Sequence, residues 1–368
     1  MRVLFIGPLP EPITGQALAC QIFLDELVKH HSVDVMNINK KELRQGVSSL
    51  ARIVQVARMV ANVWCKRNSA AVTYFTPSES FAGNLRDLLI YLLFFKRLSS
   101  MVVHLNGGAG MREIMLKKHP LRGLNEFFLR RIGAVVVLGD RLVPIYANAV
   151  ARERIHIVPN CAEDHLFSDL ASINRKFRDV TPLRFLFLSN LIPGKGHEEL
   201  VDAFHGLDDR VRESIVIDIA GDFQSEREKR DFLQKVAGVS QIRYHGTVRG
   251  SRRKELFHNA HVFCLPTYYP YEGQPLSILE AYASGCAVIT TDHSGIRDVF
   301  AHEANGFEVA KRSSTDLAAA IRRAIGSPGT LHAIAATNFR TAELKYRTST
   351  YNANMLRVIE SVGTASSL

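Results

Sequence analysis

Two glutamates bracket the stretch Glu272-Gly-Gln-Pro-Leu-Ser-Ile-Leu-Glu280, and Ala-Tyr-Ala-Ser-Gly285 and the apolar run Cys-Ala-Val-Ile-Thr290 come directly after it. The pattern reads as a loop carrying one carboxylate, a short helix carrying the other, a glycine stop and a buried strand. Pro275 suits the first turn of that helix, where its missing N–H costs nothing, and Gly285 suits the residue just past its end. A helix opened by Gly273-Gln274-Pro275 presents backbone N–H groups, and those attract phosphate. Carboxylates beside a pyrophosphate are repelled by it, so their use there is to accept hydrogen bonds from hydroxyls. A ligand with phosphates in the middle and hydroxyl-rich rings at both ends is a nucleotide-sugar.

Other loops fit the same ligand. Lys195 lies between glycines in Ser189-Asn190-Leu-Ile-Pro-Gly194-Lys195-Gly196, ahead of a helix that begins near His197. There it combines a point charge with the helix dipole; the plain alternative is a solvated loop lysine. The spacing of a P-loop is missing. Ala220-Gly221-Asp222 and His245-Gly246-Thr247-Val248 also come after expected strands, and backbone near Val248 suits the edge of a base. In the first half, Gly7-Pro-Leu-Pro-Glu-Pro-Ile-Thr14-Gly15-Gln16 is not a dinucleotide fingerprint, which removes support for a dehydrogenase; Thr14 or Gly15 starts a helix there. His104-Leu-Asn106-Gly107-Gly108 puts a histidine at the end of a strand before a glycine-rich loop, a position for a site residue, although a buried structural histidine is commoner. Asp-x-Asp does not occur and no His/Asp/Glu cluster has metal spacing, so the expectation is no metal and no cofactor beyond a nucleotide-sugar donor. Lys195 and helix N–H groups would then meet the leaving-group charge.

The elements that must position these residues alternate along the whole chain. Strands are expected at 3–6, 33–36, 71–74, 101–104, 134–138 and 155–158, then at 184–188, 215–220, 242–245, 262–265, 287–290 and 306–309. Such alternation implies parallel sheets with helices on both faces. Residues 159–183 are polar and read as an irregular linker between two α/β halves. Ligands in such folds sit outside the carboxyl ends of the strands, so the cleft between two facing halves is the expected site.

At 368 residues the chain has room for two ordinary domains, and 46% apolar with 22% charged residues is normal for a soluble protein. Five scattered cysteines without Cys-x-x-Cys (Cys20, Cys65, Cys161, Cys264, Cys286) argue against a disulfide framework or zinc site and suit a reducing cytoplasm. The N-terminal apolar run is too short for a signal peptide, and the longest apolar run, residues 88–95, is too short to span a bilayer. The net charge of +10 sits in one region: residues 40–131 hold 16 Lys/Arg against 5 Asp/Glu, which leaves 30 against 31 elsewhere. That region suits an anionic membrane or a phosphorylated substrate; no recognisable module accompanies it, so nucleic acid is not expected. Residues 49–67 have apolar residues at helical spacing among Arg52, Arg58, Lys66 and Arg67, an ordinary surface helix or one lying on a membrane.

The second half resembles glycosyltransferase family 4, whose members have the two-Rossmann-domain GT-B fold. The residues that carry the resemblance are the Lys195-Gly196 loop, Ala-Gly221-Asp, His-Gly246-Thr-Val, Glu272-x7-Glu280, and Gly295 with Asp298 beyond it. The first half is similar more loosely, through Thr-Gly15, His104 and Pro159-Asn160. The resemblance implies retaining transfer of a sugar from a nucleotide-diphospho-sugar to an acceptor hydroxyl. It implies that Glu272 contacts the donor sugar's hydroxyls, and that backbone N–H groups within residues 274–276 hold the pyrophosphate and sugar. It also implies that Glu280 accepts from the ribose, that Lys195 neutralises phosphate, and that His104 lies near the sugar and helps stabilise oxocarbenium-like charge. One departure is plain: the family commonly has Gly-Arg where this chain has Ser189-Asn190, so phosphate binding rests more on Lys195.

Together these readings give an α/β chain of two facing Rossmann-like domains. Residues 1–165 form an acceptor-binding domain, residues 166–345 a nucleotide-sugar-binding domain, and a terminal helix over about 346–368 packs back on the first. The expected catalytic residues are His104 and Glu272. The expected donor-binding residues are Gly15, Asn190, Lys195, Gly221, Val248, Gly273, Gln274, Pro275, Leu276 and Glu280. The expected protein is a cytoplasmic, peripheral hexosyltransferase of polysaccharide or glycolipid assembly. Its partners are a nucleotide-sugar donor, a glycan or lipid-diphosphate-linked acceptor, and an anionic membrane surface through residues 40–131. The rivals are a non-catalytic sugar-nucleotide or glycan-binding protein of the same fold, and a sugar-nucleotide epimerase.

Overall fold

The computed structural model describes residues 1–11, 14–38, 61, 64, 70–78 and 80–365. The basic helix expected over 49–67 lies outside the described residues except at positions 61 and 64, and Cys65 lies outside them too. The chain divides into two compact units, Met1–Asn160 with Ser349–Leu368, and Cys161–Thr348.

In the first unit the strands are β1 (Arg2–Gly7), β2 (Ser32–Asn37), β3 (Val72–Phe75), β4 (Met101–Leu105), β5 (Ala134–Val137) and β6 (Ile155–Ile157). In the second they are β7 (Leu183–Leu188), β8 (Ile215–Ala220), β9 (Ile242–Tyr244), β10 (Val262–Leu265), β11 (Ala287–Thr290) and β12 (Gly306–Glu308). Each expected strand is present, with ends shifted by a residue or so. They read clearly because parallel strands covered on both faces are continuous apolar runs, such as Ala-Val-Val-Val in β5 and Val-Phe-Cys-Leu in β10, every residue of which is buried.

Each unit holds one six-stranded sheet of parallel pairs, ordered β2-β1-β3-β4-β5-β6 and β12-β11-β10-β7-β8-β9. The chain winds outward in both directions from a central strand. The order therefore reverses between β1 and β3 in the first sheet, and between β7 and β10 in the second. Connections on opposite sides of such a reversal leave a crevice at the strands' carboxyl ends.

The linker expected at 159–183 is corrected by the structure, which builds residues 161–183 into the second unit. Asp169 caps the helix Leu170–Lys176 by accepting from the Ser172 N–H at 2.8 Å. Leu166 and Ile173 are fully buried in the unit's core, and the Lys176 ammonium donates to the carbonyls of Ala260 (2.7 Å) and Ser284 (3.0 Å). Polar residues outnumber the apolar ones here, although Leu166, Leu170, Ile173, Phe177 and Val180 recur at helical spacing and were the signal to follow. Gly285, just past the helix Leu276–Ala283, has φ +65°, and an added Cβ would overlap the Ile173 side chain. The terminal helix Thr348–Ala365 buries Tyr351, Met355, Val358, Ile359 and Val362, and the Tyr351 hydroxyl lies 3.5 Å from the Ala19 carbonyl. No helix among the described residues is long and apolar enough to cross a membrane.

Ile173→Ala is expected to destabilise the second unit by about 2–5 kcal/mol, the range for truncating a large buried aliphatic side chain. Urea denaturation checks this. A loss near zero would return the segment to the status of a linker.

Candidate functional site

The loops after β7 and β10 build the crevice of the second sheet. Lys195 ends the loop after β7, ahead of the helix His197–His205, and Glu272 ends the loop after β10, ahead of the helix Leu276–Ala283. The Lys195 ammonium donates to Glu272 Oε2 at 2.7 Å, with the two side chains only 13% and 9% exposed. The ion pair thus spans the point where the strand order reverses. The Thr267 hydroxyl lies 3.1 Å from the same carboxylate oxygen and 3.2 Å from the Gly194 carbonyl, so its one proton serves either. The Tyr269 ring centroid sits 4.8 Å from the lysine ammonium, a cation–π distance.

Backbone contacts fix Glu272 on both sides. Its N–H donates to the Tyr269 carbonyl (3.0 Å), its carbonyl accepts from the Ser294 hydroxyl (2.6 Å), and the Gly273 carbonyl accepts from the Gly295 N–H (3.1 Å). Pro275 stands at φ −63° immediately before the helix rather than inside its first turn. Of residues 274–276 it alone lacks an N–H, so Gln274 and Leu276 supply the donors there.

Glu280 lies one turn from the end of the same helix, and its side chain is 1% exposed. Burial pushes its carboxyl above the usual range, and the Arg253 guanidinium opposes that. Arg253, from the helix Gly250–Asn259, donates through one nitrogen to Glu280 Oε1 and through another to Glu163. Burial works against the charge on Arg253, but the two carboxylates overcome it and raise its pKa. Glu280 Oε2 is buried with no hydrogen-bond partner among the described residues.

Three further expected residues lie just beyond strands of this sheet. Asn190 comes after β7 and is exposed; Gly221 comes after β8; Val248 comes after β9 and packs half-buried against the core. Gly221 has φ +148°, and a Cβ there would overlap the Ser189 carbonyl, so only glycine lets these loops close up. Its N–H donates to the Gly246 carbonyl at 2.8 Å, and the Leu191 N–H donates to the Asp222 carbonyl at 2.8 Å.

His104 and Gly15 belong to the first unit. His104 is the penultimate residue of β4 and completely buried, and burial pushes its pKa down to about 3. Its Nδ1 lies 2.7 Å from the Tyr74 hydroxyl, and its Nε2 has no partner among the described residues. The Cys20 thiol lies 3.9 Å from that hydroxyl and 3.7 Å from the Thr76 hydroxyl, so the cluster is polar but uncharged. Gly15 opens the helix Gly15–His30, and Thr14 caps it by accepting from the Ala17 N–H at 3.1 Å. Among the described residues no group of three or more His, Cys, Asp or Glu side chains could hold a metal ion.

Residues 171–340 match the family model described as glycosyl transferases group 1. That match supports a glycosyltransferase. An uncharacterized glycosyltransferase of Methanocaldococcus jannaschii is 28% identical over 146 residues, which is 39% of this chain and 36% of that protein's length. Among solved structures, Anabaena HepE in complex with UDP and glucose superposes with a TM-score of 0.71 at 17% identity, covering 98% of this chain and 100% of HepE. Sucrose-phosphate synthase from Thermosynechococcus elongatus gives 0.73 at 13% identity, covering 99% and 100%. WaaG, a glycosyltransferase involved in lipopolysaccharide biosynthesis, gives 0.68 at 14% identity, covering 97% and 98%. At such identities the likeness shows the fold: two Rossmann-like α/β units of the GT-B class. The matched segment contains every expected site residue of the second unit, Asn190 to Glu280.

Sequence reasoning missed Arg253, Glu163, Thr267 and Ser294. Arg253 stands 27 positions from Glu280 and 90 from Glu163, so no local spacing links them. The usable signal was physical: a glutamate inside the apolar run Leu-Ser-Ile-Leu-Glu-Ala-Tyr-Ala requires a buried cation.

Arg253→Met is expected to cost about 3–5 kcal/mol of stability, the range for breaking a buried pair. Without the guanidinium, Glu280's folded-state pKa climbs further above its unfolded value. The folded chain then holds the proton more tightly than the unfolded one, so stability falls as pH rises through the carboxyl range. The loss should be larger near pH ~8 than near pH ~5, and adding Glu280→Gln should recover most of it. Urea melts at both pH values check this; a pH-independent loss would mean that Arg253 acts by packing alone.

Proposed function

We propose that the chain is a retaining glycosyltransferase of the family 4 type. It moves a sugar from a nucleotide-diphospho-sugar to a hydroxyl of a glycan or lipid-linked acceptor, in the assembly of a polysaccharide or glycolipid. The observation that carries this reading is the Lys195–Glu272 pair across the strand reversal, with the N-terminus of the helix Leu276–Ala283 beside it. A pyrophosphate entering there meets the N–H groups of Gln274 and Leu276 and competes for the lysine. Glu272, relieved of Lys195, is then free to accept from the sugar's hydroxyls. Glu280, held by Arg253, has an unpartnered oxygen suited to the ribose hydroxyls. Gly221 keeps backbone close to the ligand, and the chain near Val248 pairs with the base.

No general base and no metal is invoked. In retaining transfer on one face the departing phosphate takes the acceptor's proton, so the main need is preorganised charge at the leaving group. Lys195 and the helix terminus supply that charge, and Asn190 adds a hydrogen-bond donor without charge. His104 stays neutral at physiological pH and contributes through its backbone or uncharged ring, with Gly15 leaving room near the sugar. The basic segment 40–131 supports placing the enzyme at an anionic membrane surface on the cytoplasmic side, where a lipid-diphosphate acceptor is presented.

A thermal-shift and hydrolysis screen with UDP-, GDP-, ADP- and dTDP-sugars is the direct test. Stabilisation by one nucleotide class with slow release of its diphosphate is expected; binding with no turnover on any acceptor would favour the non-catalytic rival. Glu272→Gln should lower turnover by about a hundredfold or more while nucleotide affinity changes little. Glu280→Ala should weaken nucleotide binding itself by about tenfold or more, from lost hydrogen bonds to a charged group. Negligible effects of both would reduce the pair to scaffold.

A further inference from the structure

The helix Phe81–Leu93 of the first unit has an inverted surface. Phe81, Leu85, Leu89 and Leu92 are 55%, 43%, 47% and 58% exposed, and their spacing puts them on one face. The remaining exposed residue of the helix is Ala82. The two charges on the helix, Arg86 and Asp87, pair with each other at 2.7 Å, with side chains 12% and 0% exposed. A surface helix ordinarily turns its polar side to water, and this one turns none. The patch continues beyond the helix: Phe95 stacks on Phe127 at 5.9 Å and 7°, and Leu124 beside Phe127 is 52% exposed. Single exposed leucines are ordinary, but a contiguous apolar face is not.

Cations border this face at both ends. The Arg131 guanidinium lies 4.1 Å from the Phe127 ring centroid, and the Phe81 ring lies 5.9 Å from that of His119, next to Lys117 and Lys118. Residues 81–131 hold 9 Lys/Arg against 3 Asp/Glu. All three acids are engaged: Asp87 as above, Glu113 with Lys117 at 2.6 Å, and Glu126 with Arg122 at 2.7 Å and Arg130 at 3.7 Å. A second copy of the chain is a poor occupant, because a twofold contact would bring cationic rims face to face.

We infer that this face is a bilayer-docking surface. Phe81, Leu85, Leu89, Leu92 and Phe127 enter the headgroup–acyl boundary, and Lys96, Lys118 and Arg131 meet anionic headgroups. Apolar insertion combined with a cationic rim is what binds a helix lying in a membrane interface. The inference deepens the membrane part of the proposed function by naming the side chains that insert.

Flotation with vesicles of phosphatidylcholine, alone or mixed with phosphatidylglycerol, tests it. The full chain should float with the anionic vesicles and not with the neutral ones. Leu85→Gln with Leu89→Gln should weaken that binding by about tenfold or more, with the unfolding temperature and the donor thermal shift unchanged. Lys96→Glu with Lys118→Glu should weaken it and flatten its salt dependence. Equal flotation of the leucine variant and the parent would overturn the inference. So would a concentration-dependent dimer that the leucine variant abolishes, which would assign the face to a second copy. Loss of the donor thermal shift in the parent chain would sink sugar transfer instead and leave the flotation result standing.

Discussion

A carboxylate removed from water must find a cation within hydrogen-bond reach or take up a proton. Two glutamates of the second unit meet that requirement in different ways, and the site arises from the difference. Glu280, at 1% exposure, is held through one oxygen by a guanidinium that also grips Glu163, and its other oxygen has no partner among the described residues. Glu272 and Lys195, at 9% and 13%, keep an edge toward water, and the proposed function has an anion displace the carboxylate from the ammonium. One pair is fixed out of water and the other stands at its edge. Burying both equally would give a rigid core with no place for phosphate; exposing both would leave neither oriented.

The pair at the edge depends on topology. Lys195 and Glu272 are 77 positions apart, and they meet because β7 and β10 are neighbours while the connections leaving them run to opposite sides. Close packing of the strand-end loops completes the arrangement. At Gly221 the backbone takes a φ that side chains avoid and passes where a Cβ would collide with Ser189. Glycine is needed in these loops because backbone there packs directly on backbone.

Much of this was legible in the sequence for definite reasons. Parallel strands buried on both faces are unbroken apolar runs, so all twelve could be placed. The helix carrying Glu280 is bounded by Pro275 and Gly285, whose backbone preferences mark its ends to within a residue. What could not be read was pairing across the fold. Arg253 looks like any basic residue in the polar run Arg-Gly-Ser-Arg-Arg-Lys-Glu, and only the folded chain separates it from its neighbours Arg252 and Lys254. The segment 159–183 misled for another reason: polar residues outnumber its apolar anchors, although Leu166, Ile173 and Phe177 keep helical spacing.

The first unit answers different physical demands. Its strand-end cluster of Cys20, Tyr74, Thr76 and His104 is buried and polar but carries no charge, since burial holds His104 neutral and raises the Cys20 thiol to about 11. A neutral cluster offers hydrogen bonds without attracting phosphate, which is consistent with the sugar-side role proposed for His104. This unit's cations are instead spread over its surface, around an apolar helix face that folding alone does not explain. Leaving Phe81, Leu85, Leu89 and Leu92 in water forgoes the largest favourable term in folding, and the sequence places no charge at the helix's outward positions to compensate. A face so costly in water and so bordered by one sign of charge makes sense when its working environment is not water, and a lipid surface is the environment whose chemistry matches both features.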